Sequence, residues 1–270
     1  MNREEKIMKR VQEHYDYLQQ KGFEIVFLAL QGSQNYGLDV YDEEYMSDID
    51  TKAIVLPSFY DFVYNKAPVS ETIVLENNEH IDVKDVRVMF DTYKKQNINF
   101  IETLFTEFKI VNEKYKDIVQ LLFNYAEDIA HINTNQALRC MAGMSMEKHK
   151  ALCHPYPTIK DKIDKYGYDG KQLHHIIRMN DFIKAYAEGM SYKECLTSYK
   201  DKELLMRAKL NKFSLKEALE IAEAYDEDTK KIKDRSVTDI EPINSKGIEI
   251  MNIVKFDLLE RKFKEDLGVI

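Results

Sequence analysis

The chain reads as an α+β protein: a small mixed β-sheet with flanking helices, followed by a mainly helical C-terminal part. Three observations predict this. Apolar runs and period-2 alternation, the marks of strands, fall between residues 23 and 83. From residue 98 onward almost every segment has helical spacing of its apolar positions. No internal repeat and no low-complexity linker separates the two patterns, so the helical part is expected to pack directly on the sheet. The expected division is 1–110 for the sheet-bearing domain and 111–270 for the helical one.

Residues 3–20 form an amphipathic helix, with Ile7, Val11, Tyr15 and Leu18 on one stripe and Gly22 ending it. The apolar run 23–31 is a buried strand, and 48–56 is a second, stopped by Pro57. Segments 72–75 and 80–83, joined by Glu76-Asn77-Asn78-Glu79, read as a hairpin. Asp85 then serves as N-cap for a helix reaching residue 95. Further helices are expected at 98–105, 112–130, 134–151, 158–165, 171–188, 191–196, 214–234 and 245–266. Ser214 and Glu217 form a capping box for the seventh of these. His154-Pro155-Tyr156-Pro157 and 166–170 are turns, and 197–213 is ambiguous.

Composition limits the classes of function. With 44% hydrophobic and 32% charged residues, the 270-residue chain has the make-up of a globular protein with a substantial core. No stretch approaches 18 consecutive apolar residues, so no membrane span is expected. The first residues lack the apolar region of a secretion signal. The three cysteines (140, 153, 195) match no disulfide framework or CxxC metal site, and a reducing cytoplasm is the expected location. A net charge of −8 opposes broad nucleic-acid binding. Between Arg139 and Lys184, however, nine Lys/Arg face five Asp/Glu, a local charge of +4. The 17 tyrosines and 13 phenylalanines fall at helical or strand spacing and read as core.

Three short stretches carry the chemistry. Gly32-Ser33 follows the first strand. In Ser47-Asp48-Ile49-Asp50, strand geometry places both carboxylates on one face and Ile49 on the other. In 80–84, His80, Asp82 and Lys84 share one face, with Ile81 and Val83 opposite. Clustered carboxylates repel one another, and holding divalent cations is their usual use. Asp85, three residues beyond Asp82, competes for the third acidic position, but its parity suits a helix cap. A glycine lets the backbone turn close to a phosphate, and Ser33 offers a hydroxyl and an amide at a helix N-terminus. A plain serine-capped turn and exposed acids are the structural alternatives.

The run Gly32-Ser33-Gln34-Asn35-Tyr36-Gly37-Leu38 followed by Ser47-Asp48-Ile49-Asp50 resembles the signature of the DNA polymerase β-type nucleotidyltransferase superfamily. Tyr36-Gly37-Leu38 is similar to the subgroup of predicted nucleotidyltransferases of bacteria and phages. Asp85-Val86-Arg87 and Asn99-Phe100-Ile101-Glu102-Thr103-Leu104-Phe105 resemble a further block of that subgroup. The likeness covers residues 23–105 and then one helical patch at 171–178. Two departures stand out: the acid-rich spacer 38–46 is longer than usual and is a candidate either to reshape the nucleotide pocket or to act as a lid, and Gln34 stands where many relatives carry Arg.

The resemblance implies a nucleotidyltransferase sheet core with a helical domain closing the cleft. It implies transfer of a nucleoside monophosphate from an NTP to a hydroxyl, with Asp48, Asp50 and Asp82 as catalytic metal ligands. Two Mg²⁺ ions are expected, with Mn²⁺ as an alternative. Gly32 and Ser33 would bind the β- or γ-phosphate. Lys171, His175 and Arg178, spaced four and three apart on one helix face, resemble a Lys-x-x-x-His-x-x-Arg pattern of the subgroup and would contact the nucleotide. Lys148 is a candidate to join them, and His174 is expected to face elsewhere. The acceptor is left open among RNA or tRNA ends, a protein and a small molecule. A non-catalytic, antitoxin-like nucleotide-binding regulator is the alternative, and transfer to water a third.

Overall fold

The computed structural model describes residues 2–41, 45–236 and 243–270. They form an α+β fold whose mixed sheet has the strand order β3-β4-β2-β1-β5. The strands are β1 (Glu24–Gln31), β2 (Asp50–Leu56), β3 (Ser70–Val74), β4 (His80–Asp85) and β5 (Lys109–Val111). β2 runs antiparallel to β1 and parallel to β4, while β3 and β5 add antiparallel edges. The chain divides into two compact units. One is Met1–Tyr41, Met46–Ile132 and Ile243–Ile270, and the other is Asp42–Tyr45 and Asn133–Pro242.

In the first unit, helix α1 (Arg3–Gln20) starts at a capping box in which Asn2 and Glu5 exchange side-chain and backbone hydrogen bonds. Its stripe Ile7, Val11, Tyr15 and Leu18 is buried against Ile25, Leu28, Leu30, Ala53, Val55, Ile81 and Val83 of the sheet. Burying a large apolar side chain contributes on the order of 1.5–3 kcal/mol, so this face anchors the unit. The other helices here are α2 (Phe59–Val63), α3 (Val86–Lys94), α4 (Ile98–Ile101), α5 (Lys116–Asn124) and α6 (Ala126–Ala130).

Several elements differ from expectation. The second strand begins at Asp50, so Asp48 lies in the stretch before it that belongs to no strand or helix. Segment 98–105 is α4 followed by a 3₁₀ turn, Glu102–Leu104. Segment 112–130 is not one helix. Asn112 caps a 3₁₀ turn by accepting the Lys114 amide, and Tyr125 interrupts α5 and α6 at φ −113°, ψ 24°. Just before it, β5 pairs with β1, a strand whose three residues are too few to show alternation in sequence.

The first unit therefore continues past 110 to Ile132, and it also claims the C-terminal helix Ser245–Asp266. That helix is fastened at both ends. The Asn244 amide donates to the Ile132 carbonyl at 2.9 Å, and Arg261 grips Asp117 through two nitrogens at 2.7 Å each. Phe263 meets Phe59 and Phe62 with ring centroids 5.5 and 5.3 Å apart.

The second unit is built around α9 (Gly170–Ala187), with α7 (Thr134–Ala151), α8 (Lys160–Tyr166), α10 (Tyr192–Thr197), α11 (Lys202–Lys209) and α12 (Leu215–Ser236). Asp169 caps α9, and Ser214 with Glu217 caps α12 as expected. Helix α11 occupies the segment the sequence left ambiguous.

At Gly247 a Cβ would lie 2.5 Å from the Asp128 carbonyl oxygen and 2.8 Å from Ile132. Because the nearest obstacle is backbone, Gly247→Ala should cost about 1–3 kcal/mol despite the better helix propensity of alanine. The check is a lower midpoint in urea unfolding with an unchanged m-value.

Candidate functional site

The Gly-Ser turn owes its shape to one glycine and one buried acid. Gly32 sits at φ +130°, a region L-residues rarely adopt, and a Cβ there would crowd Gln34. Ser33–Tyr36 forms a single 3₁₀ turn closed by Gly37 at φ +65°. The helix N-terminus expected at Ser33 is thus that of a four-residue 3₁₀ turn. Beneath it lies Glu102, only 1% exposed. Its carboxylate accepts the Gly32 amide at 3.2 Å, the Asn35 amide group at 2.5 Å and the Tyr36 hydroxyl at 3.4 Å. Asn35 also donates to the Leu30 carbonyl and accepts from Thr106. A buried carboxylate needs such donors, and these three come from the turn.

The carboxylates approach the turn through strand register. Gln31, the residue before Gly32, pairs with Asp50 across β1 and β2. Gln34 donates to the Asp48 carbonyl at 2.7 Å and to the Tyr41 hydroxyl at 3.1 Å. Gln34 therefore ties the turn to the acidic stretch. Asp48 is exposed and Asp50 half-buried. Asp50 accepts the His80 backbone amide at 2.8 Å, and the His80 ring nitrogen Nδ1 lies 3.2 Å away.

Asp82 is on the same face, paired in register with Lys52. Both its carboxylate oxygens are engaged, one by the Lys52 ammonium and the other by the Thr72 hydroxyl. Lys52 is 3% exposed, and its nitrogen sits 3.9 Å from the centroid of the Phe100 ring. Burial lowers the Lys52 pKa. Burial alone would raise that of Asp82, but the charge and hydrogen bond of Lys52, with Thr72, hold it below the usual carboxylate range. Asp85 shares the parity of the buried Ile81 and Val83. It caps α3 by accepting the Arg87 amide at 2.8 Å, and it pairs with the Arg87 guanidinium.

Among the described residues, no three His, Cys, Asp or Glu side chains converge as a metal cage would. The donor chemistry fits a divalent cation in part. Asp48 and Asp50 offer hard oxygens beside the turn, whereas Asp82 is occupied by Lys52 and Thr72.

Beneath this edge runs a buried network that sequence reasoning missed. His14 of α1 lies 2.9 Å from the Thr51 hydroxyl through Nδ1 and 3.0 Å from Glu79 through Nε2. Arg10 reaches the same Glu79 oxygen, and the Glu79 side chain is 11% exposed. The network locks β2 and the turn before β4 onto α1. His14 looked like one polar residue on an amphipathic helix, and nothing local to it announces its partners 37 and 65 residues away. Lys52 was legible in principle, since it shares strand parity with Asp50. Glu102 was visible only as part of the 99–105 resemblance.

In the second unit, α9 carries Lys171, His175 and Arg178 as expected, and the His174 ring faces elsewhere, 3.0 Å from the Leu205 carbonyl. Burial lowers the His174 pKa to about 3. Burial also pushes His175 well below its ordinary value, aided by His174, Lys148, Arg178 and Lys171. Lys148 of α7 is lowered by burial and by Lys171. Lys148, Lys171 and Arg178 are thus near enough to oppose a positive charge on His175, an arrangement suited to an anion. Residues 42–44 of the acid-rich spacer lie outside the described residues. Compared with protein-family models and with curated proteins, the chain matches none.

Burial would raise the Glu79 pKa, yet hydrogen bonds from His14, Arg10 and Asn77 bring it down to about 2 from an ordinary 4.5. A carboxyl depressed on folding stabilises the fold above its unfolded pKa and loses that contribution as pH falls through the folded value. The Glu79 share, up to about 3 kcal/mol, should vanish between about pH 4.5 and 2. Unfolding free energies measured across that window should fall less steeply for Glu79→Gln; equal slopes would contradict the network's role.

Proposed function

We propose that the chain is a divalent-metal-dependent nucleotidyltransferase. The reaction moves a nucleoside monophosphate from an NTP to a hydroxyl acceptor and releases pyrophosphate. The observation that carries this reading is the pairing of Gln31 with Asp50, which sets the Asp48–Asp50 stretch beside the Glu102-braced Gly32–Ser33 turn. Among the described residues no helix is long and apolar enough to cross a membrane.

Each residue has a separable task. Ser33 presents its backbone amide and hydroxyl to the β- and γ-phosphates, and Gly32, whose own amide is held by Glu102, lets the chain pass close to them. Asp48 and Asp50 would hold the cation, which, when bound, neutralises phosphate charge. The acceptor oxygen forms a bond to the α-phosphorus as the bond from that phosphorus to the bridging oxygen of pyrophosphate breaks. The hydroxyl proton passes to a nearby carboxylate or to solvent. In the second unit, Lys171, His175 and Arg178 are taken as a set for phosphate oxygens, with His175 neutral and able to donate one hydrogen bond.

The acceptor is an RNA or tRNA end, a protein or a small molecule, and the net charge of −8 argues against a long nucleic acid. The Lys52–Asp82 pair favours a second reading, a nucleotide-binding regulator without catalysis, because it removes one acid from metal duty.

Purified protein with Mg²⁺ and labelled NTPs should release labelled pyrophosphate or label an acceptor. Asp48→Asn combined with Asp50→Asn should reduce turnover at least 100-fold, since both ligands of the cation are neutralised. Full activity in the double variant would remove the site from these residues. Binding of Mg²⁺ and ATP in isothermal titration without turnover would select the regulator.

A further inference from the structure

We infer that the second unit holds a binding site for a small neutral molecule with an apolar body and a phenolic hydroxyl, seated between α7 and α12 with that hydroxyl donated to His149. The inference goes beyond the nucleotidyltransferase reading and does not depend on it.

The cavity follows from two helix stripes. Ala142, Met146 and His149 recur at spacings of four and three along α7. Asp226, Lys230 and Lys233 recur at the same spacings along α12. Large apolar side chains normally fill the space between two such stripes. Here Ala142 contributes only a methyl group, and a cavity of about 350 Å³ with a mostly apolar lining remains. That size and character suit a small molecule. Met146 lines the cavity yet is 54% exposed, and an aromatic ring is a favourable cover for its thioether.

The polar part of the site is built from the core outward. Ser145, fully buried one turn before His149, donates its hydroxyl to Asp226 Oδ1 at 2.9 Å. The other oxygen of Asp226 accepts from His149 Nδ1. A carboxylate only accepts, so in the neutral ring the proton is on Nδ1 and Nε2 keeps its lone pair. Among the described residues Nε2 has no partner. The α12 wall is held as well, since the buried Thr229 accepts from Asn180 of α9 at 2.9 Å. An oriented acceptor beside apolar surface selects a ligand that is apolar except for one donor, and a phenol has that make-up. Charge argues against an anionic ligand. Glu223, Asp226 and Glu227 line the cavity against Lys230 and Lys233, so a nucleotide or a phenolic acid would meet net negative charge.

The test uses the full-length protein and para-fluorophenol, with para-fluorotoluene as a probe of nearly equal shape that lacks the hydroxyl. Binding is followed by fluorine NMR, and the imidazole nitrogens of His149 by nitrogen NMR. The wild type should bind the phenol about tenfold more tightly than the toluene, the worth of one hydrogen bond, and the phenol should shift the Nε2 resonance more than the Nδ1 resonance. His149→Phe, which keeps a ring and loses the acceptor, should bind the two probes equally. Ala142→Leu, which fills the cavity, should bind neither. Circular dichroism and thermal midpoints establish that each variant is folded, and His149→Phe decides the matter if Ala142→Leu is not. Equal binding of the two probes to the wild type, or no binding of either, would overturn the inference. A phenol preference that survives in folded His149→Phe would overturn it too, as would unchanged binding in folded Ala142→Leu. None of these results bears on nucleotidyl transfer, which is tested separately by turnover.

Discussion

The register of β1 against β2 decides where the charged side chains of the first unit stand. Gln31 opposite Asp50 brings the end of one strand and the start of the next to the same sheet edge, with Gly32 and Asp48 just beyond. A slip of one residue would turn Asp50 and Lys52 into the core and push Thr51 and Ala53 out. The register is enforced from the apolar side, where Ile25, Leu28 and Leu30 of β1 and Ala53 and Val55 of β2 pack under α1. The polar edge is therefore held in place by hydrophobic burial on the opposite face.

Three buried polar groups hold that edge, each satisfied by partners distant in sequence. Glu102 gathers the Gly32 turn, Glu79 joins α1 to β2 through His14, and Lys52 neutralises Asp82. Removing one partner of such a group leaves a desolvated charge, which is costlier than the net value of the interaction itself. The edge is consequently rigid by penalty as much as by attraction. On the proposed reading, a turn that offers donors to a phosphate benefits from that rigidity, since they are already oriented when the anion arrives.

The helical unit shows a different use of burial. Around α9, cations and histidines are placed close together where water is scarce, and the histidines respond by staying neutral. Mutual repulsion among Lys148, Lys171 and His175 is part of what keeps the imidazole uncharged.

Much of this could be read from the residues alone. The amphipathic stripe of α1, the Asp85 cap, helices 134–151 and 245–266 and the α+β class all follow from local periodicity and capping chemistry, which depend on neighbours within a turn or two. The shared face of Asp50 and Asp82 also follows from strand alternation once the two strands are neighbours. Other features were beyond local pattern. Strand β5 is too short to show a period, and the 112–130 segment breaks at Tyr125 without a glycine or proline to mark it. The expected boundary at 110/111 differs from the observed division because α5, α6 and the C-terminal helix find their apolar partners in the first unit. The pairings of Lys52 with Asp82, Glu102 with the Gly32 turn and His14 with Glu79 join residues 30 to 70 positions apart. Sequence determines which residues can be charged and which face of an element they take. Which opposite charge meets them in the dry interior is settled only when distant segments pack together.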